Sequence, residues 1–217
     1  MDAEDTSDAA GADMAATGPN SSWLIVVAAS AGGLEPLLAL LADLPPTLPA
    51  AVVIVQHRPA EGRSMLASVL ARRSRLPVVG AEEGQSVQPG TVYVARPDAH
   101  LTITRGGAFS YRDGTKICFV RSSANPLFES AAGVFDGRVI AVVLSGGGAD
   151  ATDGVQAVRS HGGWVIAQDP ASARHASMPT AAIATGMVNF VVPSHGLGAA
   201  VLSIIAGEVP AIGVPAS

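Results

Sequence analysis

Short apolar runs that alternate with helical segments are the feature that most constrains the fold of this chain. Five runs are too short for helices and rich in β-branched residues, a composition typical of strands buried on both faces. They cover residues 24–29, 51–55, 139–144, 164–167 and 190–192. The alternation predicts an α/β fold, a doubly wound and mostly parallel sheet with helices on both faces.

Proline and glycine mark the ends of the predicted helices. Apolar residues at helical spacing predict a helix over 34–44, which two prolines stop. Asn125 and Pro126 fit the N-cap and first position of a helix that runs to about residue 132. Pro179 opens a further helix, and Gly186 closes it as a C-cap.

The middle of the chain departs from this alternation. Residues 91–95, 101–104 and 109–112 have the composition of strands, and Gly106 and Gly107 separate the last two. Glycines between two strands are typical of a hairpin turn. We therefore expect an antiparallel hairpin at one edge, where it extends the parallel sheet.

Composition divides the chain into a short tail and one domain. Residues 1–21 contain no large apolar residue besides two methionines, so we expect a disordered tail or linker. Residues 22–217 suffice for one domain of ordinary size. Hydrophobic residues make up 48% of the chain and charged residues 14%, as in a globular protein with a large core.

Charge and cysteine content exclude several classes of protein. A net charge of −5 disfavours phosphate neutralisation, so we expect no nucleic-acid binding. No apolar run reaches the ~18 residues that cross a bilayer, and the N-terminus is acidic, so we expect a cytoplasmic protein without membrane insertion. The single cysteine, Cys118, excludes an internal disulfide, fits a reducing compartment and is expected to be a buried, inert thiol.

The histidines do not have the spacing of a metal-ligand set, and the chain has no cysteine pair. We therefore expect neither a metal nor another cofactor. His100, His161 and His195 are interpreted as loop or cap residues. His175, in a stretch of small residues before Pro179, has two interpretations, a loop residue or part of a cleft lining.

Ser30 directly follows the first predicted strand and precedes a glycine-rich turn. Gly32 and Gly33 tolerate positive φ and close backbone approach, which would expose Ser30 at the carboxyl edge of the sheet, where α/β proteins bind ligands. Three interpretations remain open. The segment could be a tight turn with Ser30 as a helix cap, a nucleophile turn, or a phosphate cradle, although it lacks the complete dinucleotide and P-loop patterns.

Two further polar residues follow buried strands in the same way. His57 ends the second predicted strand, and Asp150 lies in the glycine-rich loop after residues 139–144. A serine, a base and a carboxylate at one sheet edge predict a hydrolytic triad, in which Asp150 would orient His57. The order Ser, His, Asp differs from that of α/β-hydrolases, and a capping role for each residue is the competing interpretation.

At these residues the sequence resembles the catalytic domain of the chemotaxis protein-glutamate methylesterases, the CheB type. The resemblance is carried by AASAGGLEPL, VIVQHRP and VVLSGGGADATDG, and further matching stretches extend it over about residues 24–205. It implies Ser30 as nucleophile, His57 as base and Asp150 as the carboxylate. It also implies removal of methyl esters from glutamates on the cytoplasmic helices of chemoreceptors, with glutamine deamidation in some members.

Oxyanion support is expected from the Ala31, Gly32 and Gly147 region. The sequence departs from the family pattern at Ala31, where threonine is frequent, and at Ala149 and Ala151, where polar residues and glycine are frequent. Glu129 stands where arginine is frequent.

Family members usually carry an N-terminal receiver domain, and residues 1–21 are too short to form one. We therefore expect a standalone form with a separate regulator or a piece of a longer chain. The alternative function is a non-catalytic adaptor of the same fold that binds a receptor tail or a nucleotide.

Overall fold

A computed structural model describes residues 22–57, 65–113 and 122–211, and the backbone of residues 214–215. The predicted N-terminal tail and Cys118 lie outside the described residues. Within the described residues, ten strands follow one another in chain order. They are β1 Trp23–Ala29, β2 Ala50–Gln56, β3 Val78–Gly80, β4 Val92–Val94, β5 His100–Ile103, β6 Phe109–Arg112, β7 Val139–Val143, β8 Trp164–Gln168, β9 Phe190–Val192 and β10 Val214–Pro215.

Eight strands form one sheet in the order β10-β9-β8-β7-β1-β2-β4-β3. All pair in parallel except β10, which pairs antiparallel with β9 at one edge. Side chains on a strand alternate between the two faces. In β1, Leu24, Val26 and Ala28 contribute to one buried cluster, whereas Ile25, Val27 and Ala29 belong to the other.

Helices cover both faces of this sheet. They are α1 Leu34–Asp43, α2 Leu66–Ala71, α3 Asn125–Phe135, α4 Thr152–Ser160, α5 Ser177–Ala184 and α6 Leu197–Ile205. Apolar residues of α1, α2 and α6 form the core of one face, and those of α3, α4 and α5 form the core of the other. The doubly wound α/β prediction is confirmed.

The five predicted buried strands are present with boundaries shifted by at most one residue at either end, because each run is apolar on both faces. The antiparallel hairpin is also present, as β5 and β6. It forms a separate two-stranded sheet and does not extend the main one, while β4 joins the main sheet in parallel. Its apolar side chains pack into the core beside α3, and the Ile103 N–H donates to Ser130 Oγ of that helix at 3.0 Å.

The helix starts differ more than the strands do. Ala124, not Asn125, is the N-cap of α3, and the Asn125 side chain instead accepts the N–H of Gly154 in α4 at 2.9 Å. Helix α5 begins at Ser177, two residues before Pro179. Gly186 follows the C-cap residue of α5 and adopts the left-handed conformation, with φ 70°. A glycine in this conformation directly after the last turn commonly ends a helix.

The direction of the helices after β1 and β7 creates a crevice between these neighbouring strands. The chain leaves β1 towards α1 on one face and leaves β7 towards α4 on the other. In an open parallel sheet, the gap where two connections diverge at the carboxyl edge is the usual ligand site. The loops that begin at Ser30 and Leu144 border this gap.

Close packing of α3 against α4 depends on a glycine. A Cβ built on Gly154 would lie 2.6 Å from the Phe128 Cβ, a distance that real Cβ contacts do not reach. The two helices therefore approach as closely as they do because position 154 has no side chain.

Replacement of this glycine tests the packing. We expect Gly154→Ala to lower the free energy of unfolding by roughly 1–3 kcal/mol, since the added methyl forces the helices apart. Gly133→Ala is the matched control, because Gly133 lies in α3 with no atom within 4 Å of its built Cβ, and the better helix propensity of alanine should leave stability equal or higher. Chemical denaturation would measure both, and equal stabilities of the two variants would contradict the packing argument.

Candidate active site

Ser30 and His57 occupy adjacent strand ends at the carboxyl edge. Strands β1 and β2 pair in register up to Ala29 and Gln56, so the next residue on each strand begins the two loops. Backbone hydrogen bonds hold both positions, since the His57 N–H donates to the Ala29 carbonyl at 2.9 Å and the Ser30 N–H to the Ser145 carbonyl at 3.0 Å. Ser30 is therefore fixed between the loops that follow β2 and β7.

The turn after Ser30 is tight because glycine permits it. Gly32 has φ 74°, and a Cβ there would lie 2.7 Å from Ser145 Oγ and 2.8 Å from Arg174 Cβ. The Gly33 N–H closes the turn by donating to the Ser30 carbonyl at 3.0 Å. Helix α1 follows without a side-chain cap, so the structure does not use Ser30 as a helix cap.

His57 and Asp150 are in direct contact. His57 Nε2 lies 2.8 Å from Asp150 Oδ2, and the two side chains are 8% and 2% exposed. Both groups are thus largely screened from water. A charge-assisted hydrogen bond is stronger in such a buried environment than at the surface. With Nε2 engaged by the carboxylate, Nδ1 is the ring nitrogen that remains to serve as a base. Among the described residues, no hydrogen bond joins His57 to the Ser30 hydroxyl.

Asp150 accepts two further hydrogen bonds from the start of α3. Ser123 Oγ donates to Oδ1 at 2.5 Å, and the Ala124 N–H donates to Oδ2 at 2.7 Å. Burial by itself would raise the pKa of the Asp150 carboxyl. The hydrogen bonds from His57, Ala124 and Ser123 outweigh burial, and the pKa lies below its usual range. Asp150 is therefore an anion wherever the protein is folded near neutral pH.

The starts of α3 and α4 satisfy each other's backbone groups. Asp150, just before α4, accepts the Ala124 N–H at the start of α3, and Asn125 of α3 accepts the Gly154 N–H in the first turn of α4. Neither helix has a side-chain cap at its own N-cap residue. Unpaired N–H groups at a helix start carry a partial positive charge, so this exchange also favours the Asp150 anion.

Ala151, next to Asp150, adopts the left-handed conformation with φ 76° and is buried. This conformation costs an L-residue roughly 1–2 kcal/mol. Glycine, which the resemblance associates with positions beside Asp150, would adopt it without that cost.

The glycine-rich loop before Asp150 contributes fewer free N–H groups than the sequence indicates. The Gly146 N–H donates to the His175 carbonyl at 2.9 Å, and a Cβ on Gly146 would lie 2.7 Å from Ser30 Cβ and in contact with Met178 Sδ. Gly146 is therefore a packing residue. Within the described residues, the N–H groups of Ala31, Gly32 and Gly147 donate to no protein acceptor, and their role as oxyanion donors stays a prediction.

Of the other histidines, His100 differs from the expectation of a loop or cap residue, whereas His161 agrees with it as the C-cap residue of α4. His100 is buried in strand β5, where its Nδ1 accepts the Ser123 N–H at 3.2 Å. His175 is exposed beside the nucleophile turn, with its Cδ2 3.2 Å from a Cβ built on Gly32. His161 follows α4, and His195 lies in a short 3-10 turn.

Sequence reasoning missed Ser123 and Ser145. Ser145 Oγ donates to the Ala31 carbonyl at 2.9 Å and accepts the His175 N–H at 3.0 Å, so it ties three loops together behind Ser30. Ser123 directly precedes the start of α3, and a small polar residue at that place is a recognisable signal for an anion contact. What the sequence could not supply was the identity of the anion.

No group of three histidine, cysteine, aspartate or glutamate residues lies close enough to hold a metal ion within the described ranges. No helix in the described part of the chain has both the length and the apolar character of a membrane span.

Removal of the Asp150 charge should alter the pH dependence of stability. A carboxylate whose folded pKa is depressed stabilises the fold above its unfolded pKa, about 3.9, and loses that contribution as pH falls through the lower folded value. Wild type should therefore be more stable than Asp150→Asn at pH 5, and the difference should shrink as pH falls below about 4. Urea denaturation across this range measures it, and a difference independent of pH would contradict the assignment.

A methyl group at Gly146 should disturb the site directly. We expect Gly146→Ala to displace Ser30 or Met178 and to lower reactivity towards a fluorophosphonate, a serine-directed probe, by at least tenfold. The control is Gly148→Ala, which meets no atom within 4 Å but has φ 84° and so tests backbone strain alone. Equal reactivity of Gly146→Ala and wild type would refute the close approach.

The chain is similar to known proteins in sequence and in fold. Residues 25–201 match the CheB methylesterase family. A Bradyrhizobium diazoefficiens protein, named protein-glutamate methylesterase/protein-glutamine glutaminase of group 2 operon, is 35% identical over 85% of this chain and 48% of its own length. A Leptospira interrogans protein, named putative protein-glutamate methylesterase/protein-glutamine glutaminase, is 35% identical over 77% of this chain and 86% of its own length.

The crystal structure of the Thermotoga maritima CheB methylesterase catalytic domain superposes with a TM-score of 0.81 at 34% identity, covering 85% of this chain and 99% of that one. The chain spans about half the length of the Bradyrhizobium relative and matches nearly the whole of the Thermotoga domain. With this match in sequence and in fold, the chain belongs to the CheB methylesterase family.

Proposed function

We propose that this chain is a serine hydrolase that removes methyl esters from glutamate side chains of chemoreceptors. Its catalytic residues are Ser30, His57 and Asp150, carried on residues 22–217 as one catalytic domain. The observation that carries the proposal is the 2.8 Å contact between His57 Nε2 and the buried Asp150 carboxylate, at the strand end beside Ser30. The names of the related proteins support the choice of ester.

The first half of the reaction forms an acyl-enzyme. His57 Nδ1 takes the proton of the Ser30 hydroxyl as Oγ attacks the ester carbonyl carbon, and Asp150 stabilises the resulting imidazolium through Nε2. Collapse of the tetrahedral intermediate breaks the bond between the carbonyl carbon and the methoxy oxygen. The departing oxygen takes the proton back from His57 and leaves as methanol.

Water completes the cycle through the same base. His57 removes a proton from water as its oxygen attacks the acyl carbon, and Ser30 leaves with that proton, which frees the glutamate product. The negative oxygen formed in both halves requires donors, for which we propose the N–H groups of Ala31, Gly32 and Gly147, since they donate to no acceptor in the described part of the chain. One such donor is typically worth about 3 kcal/mol of barrier.

Glutamine deamidation follows from the same chemistry. An amide carbonyl gives the same acyl-enzyme, with ammonia in place of methanol as the leaving group. The related proteins are named for both activities. We therefore propose a glutaminase activity at this site without a second set of residues.

The proposed partners are the methylated cytoplasmic helices of a chemoreceptor, which places the reaction in the cytoplasm. Regulation would come from a receiver domain or another regulator. A cavity of about 360 Å³, lined by Gly32, Glu35 and Arg174 among other residues, opens beside the nucleophile turn, and Ser30, His57 and Asp150 are not part of its lining. The proposed reaction itself requires no metal and no organic cofactor, since base, nucleophile and oxyanion donors all come from the chain.

Methanol release from a methylated chemoreceptor cytoplasmic fragment tests this function. Ser30→Ala should lower kcat/KM by on the order of 10³-fold or more, because the nucleophile is lost. Ser160→Ala is the matched control, since Ser160 is exposed at the end of α4, where its hydroxyl donates to the Gln156 carbonyl. Its rate should equal that of wild type.

The other outcomes of this experiment are equally informative. Near-wild-type release by Ser30→Ala would remove the serine mechanism. No release by wild type, together with no labelling by a fluorophosphonate, would favour a binding protein of the same fold.

A further inference from the structure

We propose that Ser123 is a positioning residue for the Asp150–His57 pair, so that the proposed triad is extended by a fourth side chain from the start of α3. This inference rests on the proposed function, because it assigns Ser123 to the same reaction. The supporting observation is the buried hydrogen bond from Ser123 to Asp150 Oδ1, the carboxylate oxygen that does not contact His57.

Hydrogen bonds fix both oxygens of the Asp150 carboxylate. Oδ2 accepts from His57 Nε2 and from the Ala124 N–H, whereas Oδ1 accepts from Ser123 Oγ at 2.5 Å. Ser123 is fully buried, so water does not compete for this hydroxyl. Without Ser123, the carboxylate would be anchored through Oδ2 alone and could rotate about that contact.

The direction of the Ser123 hydroxyl proton is also determined. The Asn125 N–H donates to Ser123 Oγ at 3.2 Å and occupies one lone pair. A hydroxyl has a single proton, and Asp150 Oδ1 is the strong acceptor within reach. Ser123 therefore donates to the carboxylate, and Asn125 holds it in that role.

The backbone of Ser123 is fixed by a second histidine. The Ser123 N–H donates to Nδ1 of the buried His100 at 3.2 Å, so that nitrogen carries no proton. Among the described residues, the titratable side chains linked to the Asp150 carboxylate by hydrogen bonds are His57, in direct contact with it, and His100, reached through Ser123. Asp153 lies on α4. Burial, followed by the negative charge of Asp153, raises the pKa of Glu129 of α3.

Loss of the Ser123 hydroxyl has two expected effects on catalysis. The carboxylate would hold His57 less rigidly, which lowers kcat by about tenfold, the scale of one charge-assisted hydrogen bond, and leaves KM unchanged. Asp150 would also bind a proton more readily, since the Ser123 hydrogen bond is one of the causes that depress its pKa.

The second effect predicts a displacement of pH profiles. A carboxylate with one donor fewer attracts a proton to the Asp150–His57 pair more strongly, so the acid limb of kcat should move to higher pH. The acid unfolding midpoint should move to higher pH as well, because the folded-state pKa of Asp150 rises towards its unfolded value and its stabilising contribution disappears earlier on acidification. A hydroxyl with a merely structural role would lower stability at every pH and leave the acid limb in place.

The experiment compares Ser123→Ala with Ser130→Ala and Ser123→Thr. Ser130 is the matched control because it also lies at α3, donates to the Pro126 carbonyl and accepts the Ile103 N–H without touching Asp150. We expect Ser123→Ala to lose about tenfold in kcat and to shift both pH profiles upward. Ser130→Ala should lose stability at every pH, because the Ile103 N–H loses its acceptor, and should leave the acid limb of kcat in place. Ser123→Thr retains the hydroxyl and should restore the acid limb.

Thermal unfolding establishes that each variant is folded. Should Ser123→Ala fail to fold, Ser123→Cys replaces it, since a thiol fills the site but donates weakly. An unshifted acid limb in the folded Ser123 variant would overturn the proposal while methanol release by wild type upheld the esterase function. Failure of wild type to release methanol would overturn the function. The difference in unfolding free energy between wild type and Ser123→Ala would still decide whether Ser123 sustains the Asp150 anion, because it should shrink below about pH 4 if it does and stay constant with pH if the role is merely structural.

Discussion

The Asp150 carboxylate, buried and bound by three donors, is the interaction on which the rest of this structure depends. A buried charge is costly unless it is fully hydrogen-bonded, and here the donors come from the end of β2 and from the start of α3. The same carboxylate therefore completes the first turn of a helix and orients a histidine. Stability and the proposed chemistry share this one group.

The sheet supplies the geometry that makes this interaction possible. Parallel strands bring the loops after β1, β2 and β7 to one edge, and backbone hydrogen bonds link those loops to one another beyond the strand ends. Glycines at positions 32 and 146 permit the close approach of these loops. The site is thus held on a rigid support by backbone hydrogen bonds together with the buried side chains of Ser123 and Ser145.

Much of this arrangement is predictable from sequence, and the exceptions have physical reasons. The buried strands were found because apolar runs of this length have few alternative structures. The hairpin was predicted correctly, but its predicted position as an extension of the main sheet is wrong. Local sequence does not encode which strands pair with it, and its apolar face packs into the core with α3. Asn125 was predicted to cap its own helix, α3, but its side chain accepts an N–H group of α4. A side chain near a helix start can reach any N–H group that packing brings close.

The sequence by itself determined the α/β class, the positions of the principal strands and the candidate residues Ser30, His57 and Asp150, each recognisable as a polar residue directly after a buried run. Periodicity and turn chemistry are local properties of the chain, so they can be read from the sequence. Only the tertiary structure decided which atoms meet: that His57 uses Nε2 towards Asp150, and that Ser123 and Ala124 complete the carboxylate's shell. Asp150 and Ser123 are 27 residues apart, and their contact depends on how α3 and α4 pack across the sheet, which no local pattern specifies.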